Sequence, residues 1–176
     1  PYRATAIAFG HTGYMGGIFD NTADTIKSFY RYFAKEYYIF RDLQSQYLAS
    51  PVTQILYRTP GGSFVELSDA FRQNLDFHNA QLKTTYANGL TVYVNRSQSQ
   101  QWTVNEGGQT YYLPPNGWVA VNPVLNYLHY SALVDGNGNP SPSGHRADFV
   151  RSAHYTMADG RGISTNFGAP IGAPAK

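Results

Sequence analysis

Three groups of residues in this chain are of types that could carry chemistry. The first is His145-x-x-Asp148 followed by His154, donors of the kind that hold a metal ion. His145 falls in a loop and Asp148 on a strand, a combination that scattered polar residues produce by chance, so no metal is expected. The second group is the carboxylates. A glycosidase needs two carboxyl groups facing each other, about 5–5.5 Å apart for retention or roughly 6.5–9.5 Å for inversion. Of the 11 acidic residues only Glu36, Glu66 and Glu106 are glutamates. Glu36 lies beside Lys35 in a helix-period segment, Glu106 adjoins Gly107-Gly108, and most aspartates fall at caps or turns. None has an apolar setting that would raise its pKa, and all are read as solvated. There is no G-x-S-x-G. No catalytic residue is assigned.

The third group is glycine-rich: Gly10-His-Thr-Gly13-Tyr-Met-Gly16-Gly17. The order G-x-x-G-x-x-G-G is not the dinucleotide fingerprint, and no Lys-Ser/Thr follows to make a phosphate loop. No cofactor is expected. Placed at the carboxyl end of a barrel strand, the loop would turn His11 and Tyr14 toward a substrate; a linker with a hydrogen-bonded histidine fits equally. Aromatic rings add a further possibility. Trp102, Trp118 and Tyr93, with Tyr111 and Tyr112, lie on strand-like runs, where outward rings could stack on sugars and inward rings would fill a core. The candidates for substrate binding are therefore His11, Tyr14, Trp102, Trp118 and Tyr93. Asn95-Arg96-Ser97 also matches the N-glycosylation acceptor.

Composition limits what must position these residues. A chain of 176 residues can bury one substantial core. Charged residues are 14% and aromatics 15%, with 17 glycines, a balance that suits a β-domain with many turns rather than disorder. Net charge is +2, and the nearest approach to a basic cluster, Lys27, Arg31 and Lys35, is read as a solvated helix face. Nucleic acid is not an expected partner. The absence of cysteine removes disulfides and thiolate chemistry. No apolar run approaches the roughly 18 residues that span a bilayer, so no membrane helix is expected. The start at Pro1, without Met, reads as a trimmed fragment.

The elements follow from periodicity. Ala4–Gly10 is a short apolar run ending in glycine, which fits a buried strand of a parallel or barrel sheet, while its length leaves a buried helical turn open. Thr22 or Asp24 can cap a helix to about Ala49, with Ile26, Phe29, Tyr30, Phe33, Tyr37, Phe40, Leu43, Tyr47 and Leu48 on one wide stripe. Pro51 ends it. From Val52 onward short strands dominate, near Gln54–Arg58, Gln81–Tyr86, Leu90–Asn95, Gln101–Val104, Thr110–Leu113, Trp118–Asn122, Tyr127–Val134, Ala147–Ser152 and His154–Met157. Ser68 caps one helical turn. A three-residue loop, Ala87-Asn88-Gly89, is chosen for the first hairpin because it gathers Leu82, Thr84 and Tyr86 with Leu90, Val92 and Val94 on one face. Pro114-Pro115-Asn116-Gly117 reads as a type I turn. The expected class is mainly β with one long N-terminal helix: residues 1–50 as strand, loop and helix, 51–167 as an antiparallel β-sandwich, and 168–176 as a flexible tail.

A resemblance enters on particular residues. Tyr86-Ala-Asn-Gly-Leu-Thr-Val-Tyr-Val-Asn95-Arg-Ser97, Trp102-Thr-Val104 and Tyr112-Leu-Pro-Pro-Asn-Gly-Trp118-Val-Ala120 resemble the C-terminal β-sandwich of bacterial multidomain glycoside hydrolases. Arg146-Ala-Asp-Phe-Val-Arg151 and Tyr155-Thr-Met-Ala-Asp-Gly-Arg-Gly162 resemble its closing strands. In that family the sandwich packs on a catalytic (β/α)8 barrel, and Ala4–Gly10, His11–Asn21 and the long helix resemble the last barrel strand, its loop and its helix. The resemblance implies the C-terminal, non-catalytic part of a secreted or periplasmic carbohydrate-active enzyme. Its partners would be the remainder of the parent polypeptide and a polysaccharide or oligosaccharide. A free-standing carbohydrate-binding module and a structural or assembly protein remain as alternatives.

Overall fold

A computed structural model describes residues 2–12 and 23–159. Tyr14, most of the glycine-rich loop and the expected tail lie outside them. The chain begins with a helix, α1 (Tyr2–Ala8), where the sequence pattern suggests a strand. Alanines at 4, 6 and 8 explain the difference: alanine is the best helix former and a poor strand former, and a short buried run has no period to decide between the two. Gly10, at φ +64°, then terminates the helix in the left-handed region, and the His11 amide donates back to the Ala6 carbonyl at 2.8 Å. The barrel-strand reading of Ala4–Gly10 is therefore corrected.

Helix α2 (Ala23–Leu48) precedes Pro51. Ten strands follow: β1 (Val52–Arg58), β2 (Phe64–Val65), β3 (Gln81–Tyr86), β4 (Thr91–Asn95), β5 (Trp102–Glu106), β6 (Gln109–Leu113), β7 (Trp118–Asn122), β8 (Tyr127–Val134), β9 (His145–Arg151) and β10 (Thr156–Asp159). A one-turn helix, α3 (Leu67–Arg72), separates β2 from β3; its N-cap is Glu66, without a side-chain cap bond, rather than Ser68. Eight strands form one antiparallel sheet in the order β10-β9-β8-β7-β4-β3-β1-β2, and β5 and β6 form a separate hairpin.

The β3–β4 hairpin has the three-residue loop. Leu82 faces Val94 and Thr84 faces Val92, and Gly89 takes φ +86°. At Pro114–Gly117 the chemistry differs from expectation. Gly117 N–H does bond the Pro114 carbonyl at 2.8 Å, but Asn116 sits at φ +58°, so the third position is left-handed, as in a type II turn. Asparagine tolerates that region better than most residues.

Both faces of the sheet are covered, by different layers. On one face Leu82, Val92, Val94, Trp118, Val150 and Met157 pack beneath Ile7 of α1 and Ile39 and Leu43 of α2 in a single core. Helices α1 and α2 are thus a layer of the same core as the sheet. On the other face the β5–β6 hairpin lays Trp102, Val104, Tyr111 and Leu113 over Tyr93, Val119, Tyr130 and Ala132. The Asn88-Gly89 turn holds the helical layer in place: Asn88 Nδ2 donates to the Gln46 carbonyl in the last turn of α2 at 3.0 Å, and Asn122 Nδ2 donates to Gln46 Oε1 at 3.0 Å. The first of these satisfies a carbonyl that the helix end leaves open. Among the described residues no helix is long and apolar enough to cross a membrane.

Candidate functional site

The carboxylates read as solvated are in part buried. Glu36 on α2, Asp148 on β9 and Asp159 on β10 are each less than a tenth exposed. They meet Arg3 of α1 and Lys35 of α2 in one seam between the helical layer and the sheet edge. Arg3 pairs with Glu36, and Lys35 with Asp159 and, at 2.8 Å, with Asp148. Lys35 is therefore no part of a solvated stripe. Ser131 of β8 donates to Asp148, and Arg146 Nε donates to Ser131 Oγ at 2.8 Å. Burial raises the Asp148 carboxyl, but Lys35, Ser131 and Arg3 together more than offset it and hold the group below its ordinary value. Every charge here answers another. The seam fastens α1 and α2 to the sheet.

Beside it lies a buried imidazole for which the sequence offers no signal. His129 of β8 is fully buried, and its Nε2 accepts the Trp118 indole N–H at 3.1 Å. Burial pushes its pKa down to about 3, so it is neutral. Its proton then sits on Nδ1, which has no partner among the described residues.

The sequence candidates separate. His11 is exposed; its carbonyl accepts the Tyr47 hydroxyl at 2.6 Å, which fixes the loop's entry. Trp102, Trp118 and Tyr93 are 4%, 1% and 5% exposed. Trp102 packs edge-on against Tyr93 and near Phe64, and the Tyr93 hydroxyl donates to Glu106 at 2.6 Å. Arg146 lies over Trp118, 5.8 Å from its ring centroid. These three rings are core, not a stacking platform: Trp102 on the inner side of the hairpin and Tyr93 of β4 fill the space between hairpin and sheet, and Trp118 lies under the helical layer. The run Trp118-Val119-Ala120-Val121 carried the signal, since an unbroken apolar run implies burial on both faces. Asn95 is buried too, its amide donating to the carbonyls of Gln100, Leu113 and Pro114, so in the folded chain it is no glycan acceptor. His145 is the first residue of β9, paired with Val134, rather than part of a loop; His154 lies past the other end of the strand and Asp148 in the seam, and no group of three metal-binding side chains occurs among the described residues.

Among the clefts lined by described residues, two bear on the candidate groups above. One, of about 200 Å³, lies between α2 and the β7–β8 and β9–β10 turns. There His154 Nδ1 is 2.9 Å from Asp42 Oδ2, and the Tyr127 hydroxyl is buried without a hydrogen bond. The Ser45 and Ser152 hydroxyls already donate to the carbonyls of Asp42 and Tyr155, so neither supplies the imidazole with a proton to abstract. The other, of about 240 Å³, opens where the β5–β6 hairpin stops short of the sheet edge. Its floor holds Tyr130 and Phe149, stacked across β8 and β9 at 5.2 Å, with Tyr111 of β6 tilted against Tyr130 at 6.0 Å. Gln109, Asn139 and Arg151 stand at its rim, all three exposed. None of the six is among the candidates the sequence suggests, although Tyr111 was weighed among the strand aromatics. The register that brings Tyr130 opposite Phe149 lies in the β8–β9 pairing, not in local pattern.

No family model matches the chain, and no curated protein or solved structure matches it significantly.

Proposed function

We propose that this chain is the C-terminal, non-catalytic part of a secreted bacterial carbohydrate-active enzyme of glycoside hydrolase type, which stabilises the catalytic barrel and holds glycan. The observation that carries this reading is the two-sidedness of α2. One side, with Ile39, Phe40, Leu43 and Tyr47, is spent on the sheet. A second side presents Tyr30, Phe33 and Tyr37, spaced three and four apart and 66%, 40% and 42% exposed. Tyr2 of α1 is exposed as well, at 49%. Surfaces this aromatic mark contact with another body. The seam of ion pairs supports the same reading, since it makes the helical layer a firm mount on the sheet.

The corrected α1 changes the form of the proposal. The barrel contact runs through the outer face of the helical layer, not through a shared barrel strand. The test is the reading frame ahead of Pro1. A continuous frame of roughly 200 or more residues with alternating strand and helix signals is the expected result. A start codon and signal peptide immediately before Pro1 would overturn it and leave an assembly protein, with α2 as its subunit contact.

A further inference from the structure

Glycine follows asparagine at three places in the chain, Asn88-Gly89, Asn116-Gly117 and Asn137-Gly138. Asparagine is a thermolabile residue, and glycine, with no Cβ, lets its own nitrogen approach the asparagine side-chain carbon. Reaction needs a carboxamide free to turn toward the main chain and a glycine amide with room to leave its place. The fold meets these conditions differently at the three sites. Both ends of the Asn88 carboxamide are held, Nδ2 donating to the Gln46 carbonyl at 3.0 Å and Oδ1 accepting the Leu90 N–H at 3.1 Å. At Asn116 the glycine is the obstacle. Gly117 is buried, its N–H bonds the Pro114 carbonyl at 2.8 Å, and the Asn116 carbonyl accepts Arg146 Nη2 at 2.8 Å. Asn137 is exposed, and its carboxamide makes no hydrogen bond among the described residues. Gly138 N–H has one bond, to the Asp135 carbonyl at 3.0 Å, in a turn on the surface.

We infer that Asn137 is a site of spontaneous modification, converting in the folded protein to a mixture of aspartate and isoaspartate far faster than Asn88 or Asn116. The Gly138 nitrogen gives up its proton and bonds to Asn137 Cγ. The Cγ–Nδ2 bond breaks, and Nδ2 takes up a proton and leaves as ammonia. Water then opens the cyclic imide. Attack at Cγ gives aspartate, and attack at the main-chain carbonyl carbon gives isoaspartate, whose side-chain methylene has entered the main chain. Nothing is oxidised or reduced, and water is the only co-reactant. Either product sets a new carboxylate close to Asp135. Asp135 accepts the N–H groups of Asn137 at 2.8 Å and Asn139 at 2.9 Å, and the lengthened isoaspartyl chain displaces Asn139 from it. Gly138, Asn139 and Pro140 line the cleft beyond the β5–β6 hairpin, so conversion reshapes its wall.

Peptide mass mapping tests the inference. The full chain is kept native at pH 7 and at pH 8, beside a sample unfolded in urea, until the unfolded sample has converted. The native chain is expected to convert Asn137 at least tenfold faster than Asn88 and Asn116, giving two separable products of one mass. Conversion should run faster at pH 8, where more of the glycine amide is deprotonated. In urea the three sites should come within a few-fold of one another, because the hydrogen bonds that separate them are gone. Native conversion at Asn88 or Asn116 as fast as at Asn137 would overturn the inference. So would an Asn137 that stays intact in the native chain while the unfolded chain converts it. Neither result touches the docking of α2, which is read by a different measurement.

Discussion

Replacing His129 with glutamine should remove a specific part of this protein's sensitivity to acid. The native imidazole has a pKa of about 3, against about 6.5 in an unfolded chain. A group whose folded pKa is depressed takes up more protons when unfolded, so stability falls as pH drops below 6.5 and stops falling near 3. Integrating over that interval gives a loss of about 2 kcal/mol between pH 7 and pH 5, and about 3 kcal/mol by pH 4. The cause is geometric: Nε2 is held by the Trp118 N–H, Nδ1 has no acceptor, and neither nitrogen reaches water. Asp148 acts in the same direction only lower down, because its depressed carboxyl loses its contribution as pH falls below the unfolded aspartate value near 3.9. Urea unfolding at pH 7, 6 and 5 separates the two. Wild type should lose about 2 kcal/mol over this range, and His129→Gln, which keeps an acceptor for Trp118, should lose far less. Equal slopes for the two proteins would refute the assignment.

Two further substitutions probe the frame. Lys35→Met leaves Asp148 and Asp159 buried without their shared ammonium, and should lower stability by about 3–5 kcal/mol in urea unfolding, with part of the loss recovered when Asp148→Asn is added. Gly117→Ala sets a methyl group 2.7 Å from the Ser131 carbonyl oxygen and 2.7 Å from Pro114 Cδ, so β7 or its turn must shift; a thermal-shift assay should report a loss corresponding to about 1–3 kcal/mol.

What the sequence could convey depended on the range of the interaction. The β3–β4 hairpin was legible because its apolar alternation and Asn88-Gly89 lie within fifteen residues and agree on one register. Ala4–Gly10 was not, since a run of alanines is apolar enough for a buried strand and short enough to hide a helical period. The fates of Trp102 and Tyr93 turned on a hairpin that folds over the sheet between β4 and β7, an event no local pattern announces. The seam is the extreme case: Lys35 and Asp159 are 124 residues apart, and each alone looks like an ordinary surface charge. The cleft beside the β5–β6 hairpin has the same character, with Tyr111, Tyr130 and Phe149 contributed by three strands.

The central claim is that the outer face of the helical layer meets the rest of a larger polypeptide. Hydroxyl-radical footprinting of Tyr2 and Tyr37 tests it most directly, comparing this segment alone with the same segment inside its full reading-frame product. Both rings are exposed here, at 49% and 42%. If the account holds, their labelling falls sharply in the longer protein while that of exposed Phe71, at 65%, stays the same. Equal labelling of Tyr2 and Tyr37 in both would contradict it.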